Sequence, residues 1–417
     1  MDGYRLQISF VPCVRDLCLR VVCDMGRTRC VAGSTFLFRW HPSLFRITVC
    51  SGTGRAKSNS DVGTRRRAQF YDWMGNFGFR RMAFVAEERF MIDFSAHNMA
   101  APEILALNNI DMAIWDTGNP SALPPVILCH GFPELAFSWR HQLRDLPSRG
   151  VRAIAPDMRG YGMSSSPQAI EDFDLDHLTG DLEALLDAKG IEKAIFCGHD
   201  WGGLIVWAMA TRRPSRVSGV IGVNTPYTKR PPIDPIALYQ QRFGADHYIA
   251  YFQEPGIAEA MFEADIDKTF RFYMRKSDVT PQEFDARPEG KRNFAFQNAL
   301  QQFDISRITN PLLSEAELAV FVQTFTRTGF RGGLNWYRNF TRNWLDSANI
   351  PDLVTQPSLM IMAENDVVLP PSATKGIEKY VPDLERVLIK ACGHWTQQER
   401  PAETTDAIAT WILKRFG

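Results

Sequence analysis

The sequence predicts an α/β protein: a mostly parallel β-sheet flanked by helices, with a helical cap inserted between two parts of the core. Three observations carry that prediction. From about residue 102 onward, short apolar runs bounded by Gly, Pro and Asp alternate with helical stretches, the pattern of strands covered by helices on both faces. One of those runs, Ile195-Phe196-Cys197, passes through Gly-x-Asp-x-Gly straight into a helical stretch. Between residues 226 and 347 the composition shifts to aromatic-rich helical sequence, led in by Thr225-Pro226, Pro231-Pro232 and Asp234-Pro235.

Strands are expected at residues 126–129, 151–155, 194–197, 217–223, 358–362 and 387–389. Each runs into a segment able to carry chemistry, and open α/β sheets place their sites at the carboxyl ends of strands. The chain then divides into an N-terminal extension (1–90), a first core segment (91–225), the cap (226–347) and a second core segment (348–417). The extension mixes Arg, Cys, Gly and aromatics without a sustained helical or strand period and contains Arg65-Arg66-Arg67, so no folded domain is expected there. It reads as a disordered tail, or as an over-long start with Met82 as the working start. Asp2, Asp16 and Asp24 disfavour an acidic-poor transit peptide.

Lys plus Arg and Asp plus Glu each number 47 in the 417 residues, so the formal charge is zero. Residues 1–81 nevertheless carry 13 Arg and one Lys against five Asp, a surplus of +9 that the remainder balances with −9. No basic patch across the whole protein is indicated, which removes the main footprint of nucleic-acid binding. Five of the eight Cys lie in the first fifty residues, without the paired C-x-x-C spacing of a zinc module. Cys129, Cys197 and Cys392 read as free thiols of a reducing compartment, and a cytoplasmic location is expected. No run of eighteen or more apolar residues occurs, and the basic start lacks an apolar centre with a cleavage site, so neither a membrane span nor a secretory signal is supported.

The run Gly198-His199-Asp200-Trp201-Gly202-Gly203, between an apolar strand and a helix stopped by Pro214, has the layout of a nucleophile elbow. Such a turn strains the middle residue and needs neighbours without side-chain bulk. The middle residue here is Asp200. A carboxylate displaces at a saturated carbon and leaves an alkyl ester on the protein, instead of accepting an acyl group. An N-cap role would be the ordinary reading of Asp200 alone. The elbow is preferred because an acid and a His follow in the order this arrangement requires.

After the strand at 358–362 comes Ala363-Glu364-Asn365-Asp366, and after 387–389 comes Gly393-His394-Trp395. His394, on a loop near the end of the last strand, can reach the elbow and deprotonate water near neutral pH. Asp366 would orient it, with Glu364 as the rival acid. His97, His141 and His177 lack such a setting. His130-Gly131-Phe132-Pro133-Glu134 follows the strand at 126–129, where the backbone N–H of Phe132 would join that of Trp201 in an oxyanion hole. A cis Phe132-Pro133 bond is expected in so tight a turn.

In combination, GHDWGG (198–203), HGFPE (130–134), AEND (363–366), CGHWTQ (392–397), YFQEPGIAEA (251–260) and GFRGGLNWYRN (329–339) resemble soluble epoxide hydrolases of the α/β-hydrolase fold. The match runs over about residues 102–415 and is close to the hydrolase domain of the mammalian enzymes and to bacterial relatives. The resemblance implies conversion of an apolar epoxide and water to a vicinal diol, with Asp200 as nucleophile, Asp366 as acid and His394 as base. It implies that Tyr248 and Tyr337 bind the epoxide oxygen; Tyr251 is the neighbour most easily confused with Tyr248. No metal or organic cofactor is called for, and the expected partners are the small-molecule epoxide and water, in a monomer or homodimer.

Two other readings compete. A haloalkane dehalogenase shares the Asp elbow, the His and the Trp after the nucleophile, but typically has Asn where this chain has Phe132, and lacks the two cap tyrosines. A catalytically silent ligand-binding relative would have one broken catalytic position, and none is broken. Serine esterases are disfavoured because the elbow carries no hydroxyl.

Overall fold

The computed structural model describes residues 94–119, 121–288 and 291–417, and before them the backbone of four strands. Those four form two antiparallel pairs, β1 (Arg5–Cys13) with β2 (Asp16–Asp24) and β3 (Thr35–Arg39) with β4 (Arg46–Cys50). They run through a stretch in which we read no sustained strand period; a local signal exists in the alternation of Leu6, Ile8 and Phe10 with Gln7 and Ser9. The remaining expectations for residues 1–90 lie outside the described residues.

The body, from Glu88 on, is a separate compact unit. Its strands are β5 (Glu103–Leu107), β6 (Ile110–Asp116), β7 (Val126–Cys129), β8 (Ala153–Pro156), β9 (Ala194–His199), β10 (Val217–Val223), β11 (Ser358–Ala363) and β12 (Leu384–Ile389). They form one sheet in the order β12-β11-β10-β9-β7-β8-β6-β5. All pairings are parallel except β5 with β6 and β6 with β8. Every residue of β7, β8 and β9 is buried, as expected of central strands covered on both faces. The sequence reading missed β5 and β6. Asn108 and Asn109, with φ of 46° and 63°, make the two-residue turn that joins them, and Asn tolerates this left-handed region better than most residues.

Register brings the strand ends together. Cys129 pairs with Gly198, His199 with Val223, and Val223 with Ile361. The residues that follow β7, β9, β10 and β11 therefore leave the sheet along one edge, and the segment after β12 returns to it.

The inserted segment is helical, from Pro235–Phe243 through Tyr248–Tyr251, Ile257–Glu263, Ile266–Tyr273, Pro281–Asp285, Phe296–Gln302, Glu315–Thr328 and Arg331–Arg338 to Phe340–Asp346. Local signals set these boundaries. Pro235 opens the first helix, and the Asp234 carboxylate accepts the Ile236 N–H at 2.7 Å. Ser314 and Glu317 form a capping box at the start of Glu315–Thr328, which ends at Gly329 with φ 65°. Phe262, Phe270, Phe321, Phe325 and Phe330 are buried and pack ring against ring. Each contributes roughly 1.5–3 kcal/mol by leaving water. Arg140, the first residue of the core helix Arg140–Asp145, ties core to cap: it bonds Glu317 at 2.9 Å and Gln398 at 2.8 Å. Among the described residues no helix is long and apolar enough to cross a membrane.

Candidate active site

Asp200 sits between β9 and the helix Trp201–Arg212 with φ 52° and ψ −120°. That conformation is strained for a residue with a side chain, of order 1–3 kcal/mol, and it aims the carboxylate out of the sheet. The turn closes only because bulk is absent beside it: a Cβ on Gly202 would lie 2.1 Å from the Cys129 carbonyl oxygen. Thr225, just past β10, donates its hydroxyl to the Asp200 carbonyl at 2.8 Å and braces the turn.

The loop after β7 approaches from the other side. The Phe132 N–H donates to Asp200 Oδ1 at 2.9 Å, and the Phe132-Pro133 bond is cis. A Cβ on Gly131 would meet Asp200 Cβ at 2.5 Å and Oδ1 at 2.6 Å, so only glycine lets this loop come so near. Trp201 is the first residue of its helix, and its ring packs on Trp336, Tyr337 and Phe340.

His394 Nδ1 lies 2.9 Å from Asp366 Oδ2, and its Nε2 lies 3.7 Å from Asp200 Oδ2, an ion-pair distance beyond a hydrogen bond. Glu364, the rival acid, is exposed and accepts the Ala391 N–H instead. Burial would raise the Asp366 carboxyl, but His394, the Leu369 N–H and the Asn224 amide outweigh it and hold it at about 2. Desolvation would lower His394; the Asp366 and Asp200 carboxylates reverse that and hold the imidazole well above its ordinary 6.5.

On the cap side, Tyr337 is wedged against Trp201 and Phe132, with ring centroids 5.1 and 5.3 Å away, and Tyr248 stands 5.9 Å from Tyr337. Burial foremost, with the Asp200 carboxylate adding to it, pushes both phenols well above 10, so each remains a donor at neutral pH. Tyr251 packs edge-on against Phe252.

Three contributors escaped the sequence reading. Asn224, with φ 64°, donates to Asp366 Oδ2 at 2.6 Å and accepts from Thr396 at 2.7 Å; its position directly after β10 was the available signal. Glu134 and His199 form a fully buried pair 2.7 Å apart beneath the site. Glu134 Oε2 also accepts the Gly131 N–H at 3.0 Å, and His199 Nε2 bonds the His394 carbonyl oxygen at 2.7 Å. The pair thus joins the loop that holds Asp200 to the loop that carries His394. Both residues belong to the HGFPE and GHDWGG motifs, but spacing alone does not reveal that they meet.

The arrangement is a carboxylate held by a backbone N–H at a strained turn, an imidazole paired with a second carboxylate, and two phenols on the cap side. A separate groove of about 650 Å³, lined by Pro124, Pro125, Arg152, Lys193 and Ser218 among others, lies at the amino ends of the strands, away from these groups.

Comparison with known proteins gives the family. The family described as alpha/beta hydrolase fold matches residues 124–401. Epoxide hydrolase A of Mycobacterium tuberculosis is 40% identical over 326 residues, covering 75% of this chain and 98% of that protein. Bifunctional epoxide hydrolase 2 of Sus scrofa is 41% identical over 298 residues, 69% of this chain, which spans about half the length of that relative (51%). Among solved structures, epoxide hydrolase A from Mycobacterium thermoresistibile aligns with TM-score 0.66 and 38% identity over 75% of this chain and 98% of its own. Potato epoxide hydrolase I aligns with TM-score 0.65 and 33% identity over 75% and 99%. With a carboxylate standing where a serine hydrolase carries its hydroxyl, and likeness running over nearly the whole length of the mycobacterial enzymes, this chain belongs to the epoxide hydrolases of the alpha/beta hydrolase fold.

Proposed function

We propose that the protein converts an apolar epoxide and water to a vicinal diol through a covalent alkyl ester on Asp200. The observation that carries this reading is the Asp200 carboxylate, fixed by the Phe132 N–H, with the Asp366-paired imidazole of His394 close behind it.

In the first step Asp200 Oδ2, which does not receive the Phe132 bond, attacks an epoxide carbon. The ring C–O bond breaks as Tyr248 and Tyr337 donate to the departing alkoxide. Forming the ester removes the negative charge of Asp200, one of the two carboxylates that hold the His394 pKa up. The imidazole then becomes a stronger acid and gives up its proton, which passes by way of solvent to the alkoxide and completes the first hydroxyl; the neutral imidazole next takes a proton from water while Asp366 stabilises the imidazolium. Hydroxide adds to the ester carbonyl, whose oxyanion rests on the N–H groups of Phe132 and Trp201. The acyl C–O bond breaks, the departing alkoxide takes the proton of the added hydroxyl, and the diol leaves with Asp200 again a carboxylate. Epoxide and water are consumed, diol is formed, and every proton is returned.

The protein works on a small-molecule epoxide and water as a cytoplasmic monomer or homodimer, with no nucleic-acid or membrane partner. The buried free thiols Cys129, Cys197 and Cys392 support a reducing compartment.

A single turnover in heavy-oxygen water, with enzyme in excess, tests the mechanism. Solvent oxygen should enter the Asp200 peptide and be missing from the first diol released. Label in that first diol would mean direct attack by water and would defeat the ester route. A bromoalkane run in parallel separates the dehalogenase alternative, which requires bromide release.

A further inference from the structure

Among the described residues, two tyrosine oxygens are buried without a hydrogen-bond partner, those of Tyr161 and Tyr273. Tyr161 is closed in: its residue is 1% exposed, its ring packs between His130 and Trp336, and its oxygen lies against Gly333. Tyr273 is placed differently. Its oxygen is enclosed as well, but the residue as a whole is partly exposed, as are Asp200, His394 and Tyr248. It stands edge-on to Phe132 at 6.4 Å, and it shares Phe296 with Tyr248, at 5.8 and 4.8 Å respectively. The Trp395 Nε1–H donates to the Tyr273 carbonyl at 2.6 Å, which fixes this residue to the loop that carries His394. Phe132, whose N–H holds Asp200, and Phe296, on which Tyr248 packs, are thus both neighbours of its ring. The mechanism uses none of its chemistry.

Resting on the epoxide reading above, we propose that Tyr273 is a specificity-determining residue whose O–H donates to an acceptor oxygen on the epoxide's substituent, so that oxygen-bearing epoxides are preferred over hydrocarbon epoxides of the same shape. An O–H facing an apolar wall is unfavourable until something accepts from it. A hydrocarbon substituent leaves it orphaned in the complex, whereas an ether-type oxygen satisfies it, and discrimination of this kind exceeds what shape alone supplies. Phe132, Phe262, Phe272 and Phe296 surround the ring and offer no competing acceptor side chain. The contact is made to the substituent and not to the ring oxygen, so it is equally strong in ground and transition states, acts through KM and leaves kcat aside.

The test compares butyl glycidyl ether with the alkyl epoxide in which a methylene replaces the ether oxygen, using the full chain and Y273F. The parent protein should favour the ether roughly tenfold in kcat/KM, about the value of one neutral hydrogen bond, with the difference in KM. In Y273F the preference should fall to near unity, and the variant's Tm should equal or exceed the parent's, because no native partner is lost. An unchanged preference in Y273F overturns the assignment. So does an equal loss on both epoxides, which would make Tyr273 a third donor to the ring oxygen, and so does a lowered Tm, which would reveal a structural partner. Failure of the parent protein on both epoxides overturns the epoxide reading itself and takes this assignment with it.

Discussion

Replacing Glu134 by Gln isolates the charge of the buried Glu134–His199 pair while keeping its volume. With the Gln oxygen in the Oε2 position, the Gly131 N–H at 3.0 Å and the His199 ring at 2.7 Å are still served. At Oε1, now an amide nitrogen, the Gln397 amide that donates at 2.8 Å can turn, because its own oxygen has no partner, whereas the Gln398 amide at 3.3 Å cannot, because its oxygen holds Arg140, so that longer bond is lost. The larger loss is charge: hydrogen bonds to a charged group contribute ~1.5–3 kcal/mol against ~0.5–1.5 for neutral ones, so the bonds from Gly131 and His199 weaken by about 1 kcal/mol each. A loss of ~2 kcal/mol corresponds to a Tm lowered by about 4–8 °C at the scale of larger domains. Burial would raise Glu134, but His199 and the Gly131 N–H hold it below its ordinary value. Its contribution is therefore full above the unfolded carboxyl pKa and fades as pH falls through the native one, so parent and variant should converge in acid. Because the pair supports the Phe132 loop and the His394 carbonyl together, both half-reactions should slow, each on the order of tenfold. Calorimetry across pH with stopped-flow separation of ester formation and hydrolysis reads all of this. A variant as stable as the parent at neutral pH, or slowed in one half-reaction only, would refute the idea that the pair joins the two loops.

Four further outcomes are expected. His394→Gln should leave ester formation largely intact and stop hydrolysis, so intact-mass analysis after mixing should show a stable increment of one substrate mass, and its absence would count against His394 as the base. Asp366 titrates at about 2 instead of 3.8, worth ~2.5 kcal/mol at neutral pH that is lost between pH ~4 and ~2; acid unfolding of Asp366→Asn should lack that part of the slope. Gly131→Ala places a methyl 2.5 Å from Asp200 Cβ, so diol formation should fall at least ~100-fold with circular dichroism unchanged. The pH profile of ester hydrolysis in single turnover should rise with an apparent pKa below that of His394 in the resting protein by NMR titration, and equal values would contradict the charge switch at Asp200.

Much of the sheet was readable because its central strands are buried on both faces, and such strands must be apolar along their whole length, which leaves continuous runs punctuated by Gly, Pro and Asp. β7 and β10 fall where expected, at Val126–Cys129 and Val217–Val223, and β9 runs two residues further, to His199. The β5–β6 hairpin was missed because β5 is the edge strand of the sheet: Ile104 is 48% exposed and Ala106 is exposed too, so apolar residues on the outward side blur the alternation. The Asn108-Asn109 turn was its clearest sign.

The site divides along the same physical line. Asp200, Asp366, His394 and Phe132 each stand just beyond a strand end, so chain order and a few glycines were enough to propose that they converge. Asn224 has the same address and was overlooked only because an amide after a strand announces no chemistry by itself. The cap residues obey another rule. Tyr248 opens a four-residue helix and Tyr337 lies near the end of an eight-residue one, so which way either ring faces is decided by packing against Phe132, Trp201 and Phe252, not by local pattern. Tyr251 shows the consequence. It is three residues from Tyr248, within one helical turn, yet its ring contacts Phe252 while Tyr248 contacts Tyr337. Tyr273 ends another cap helix and looks like any core aromatic until its oxygen is found without a partner. Sequence spacing therefore locates chemistry that the sheet positions. Chemistry positioned by a cap emerges only when the aromatic contacts are known, and substrate preference should vary there while the strand-end groups stay fixed.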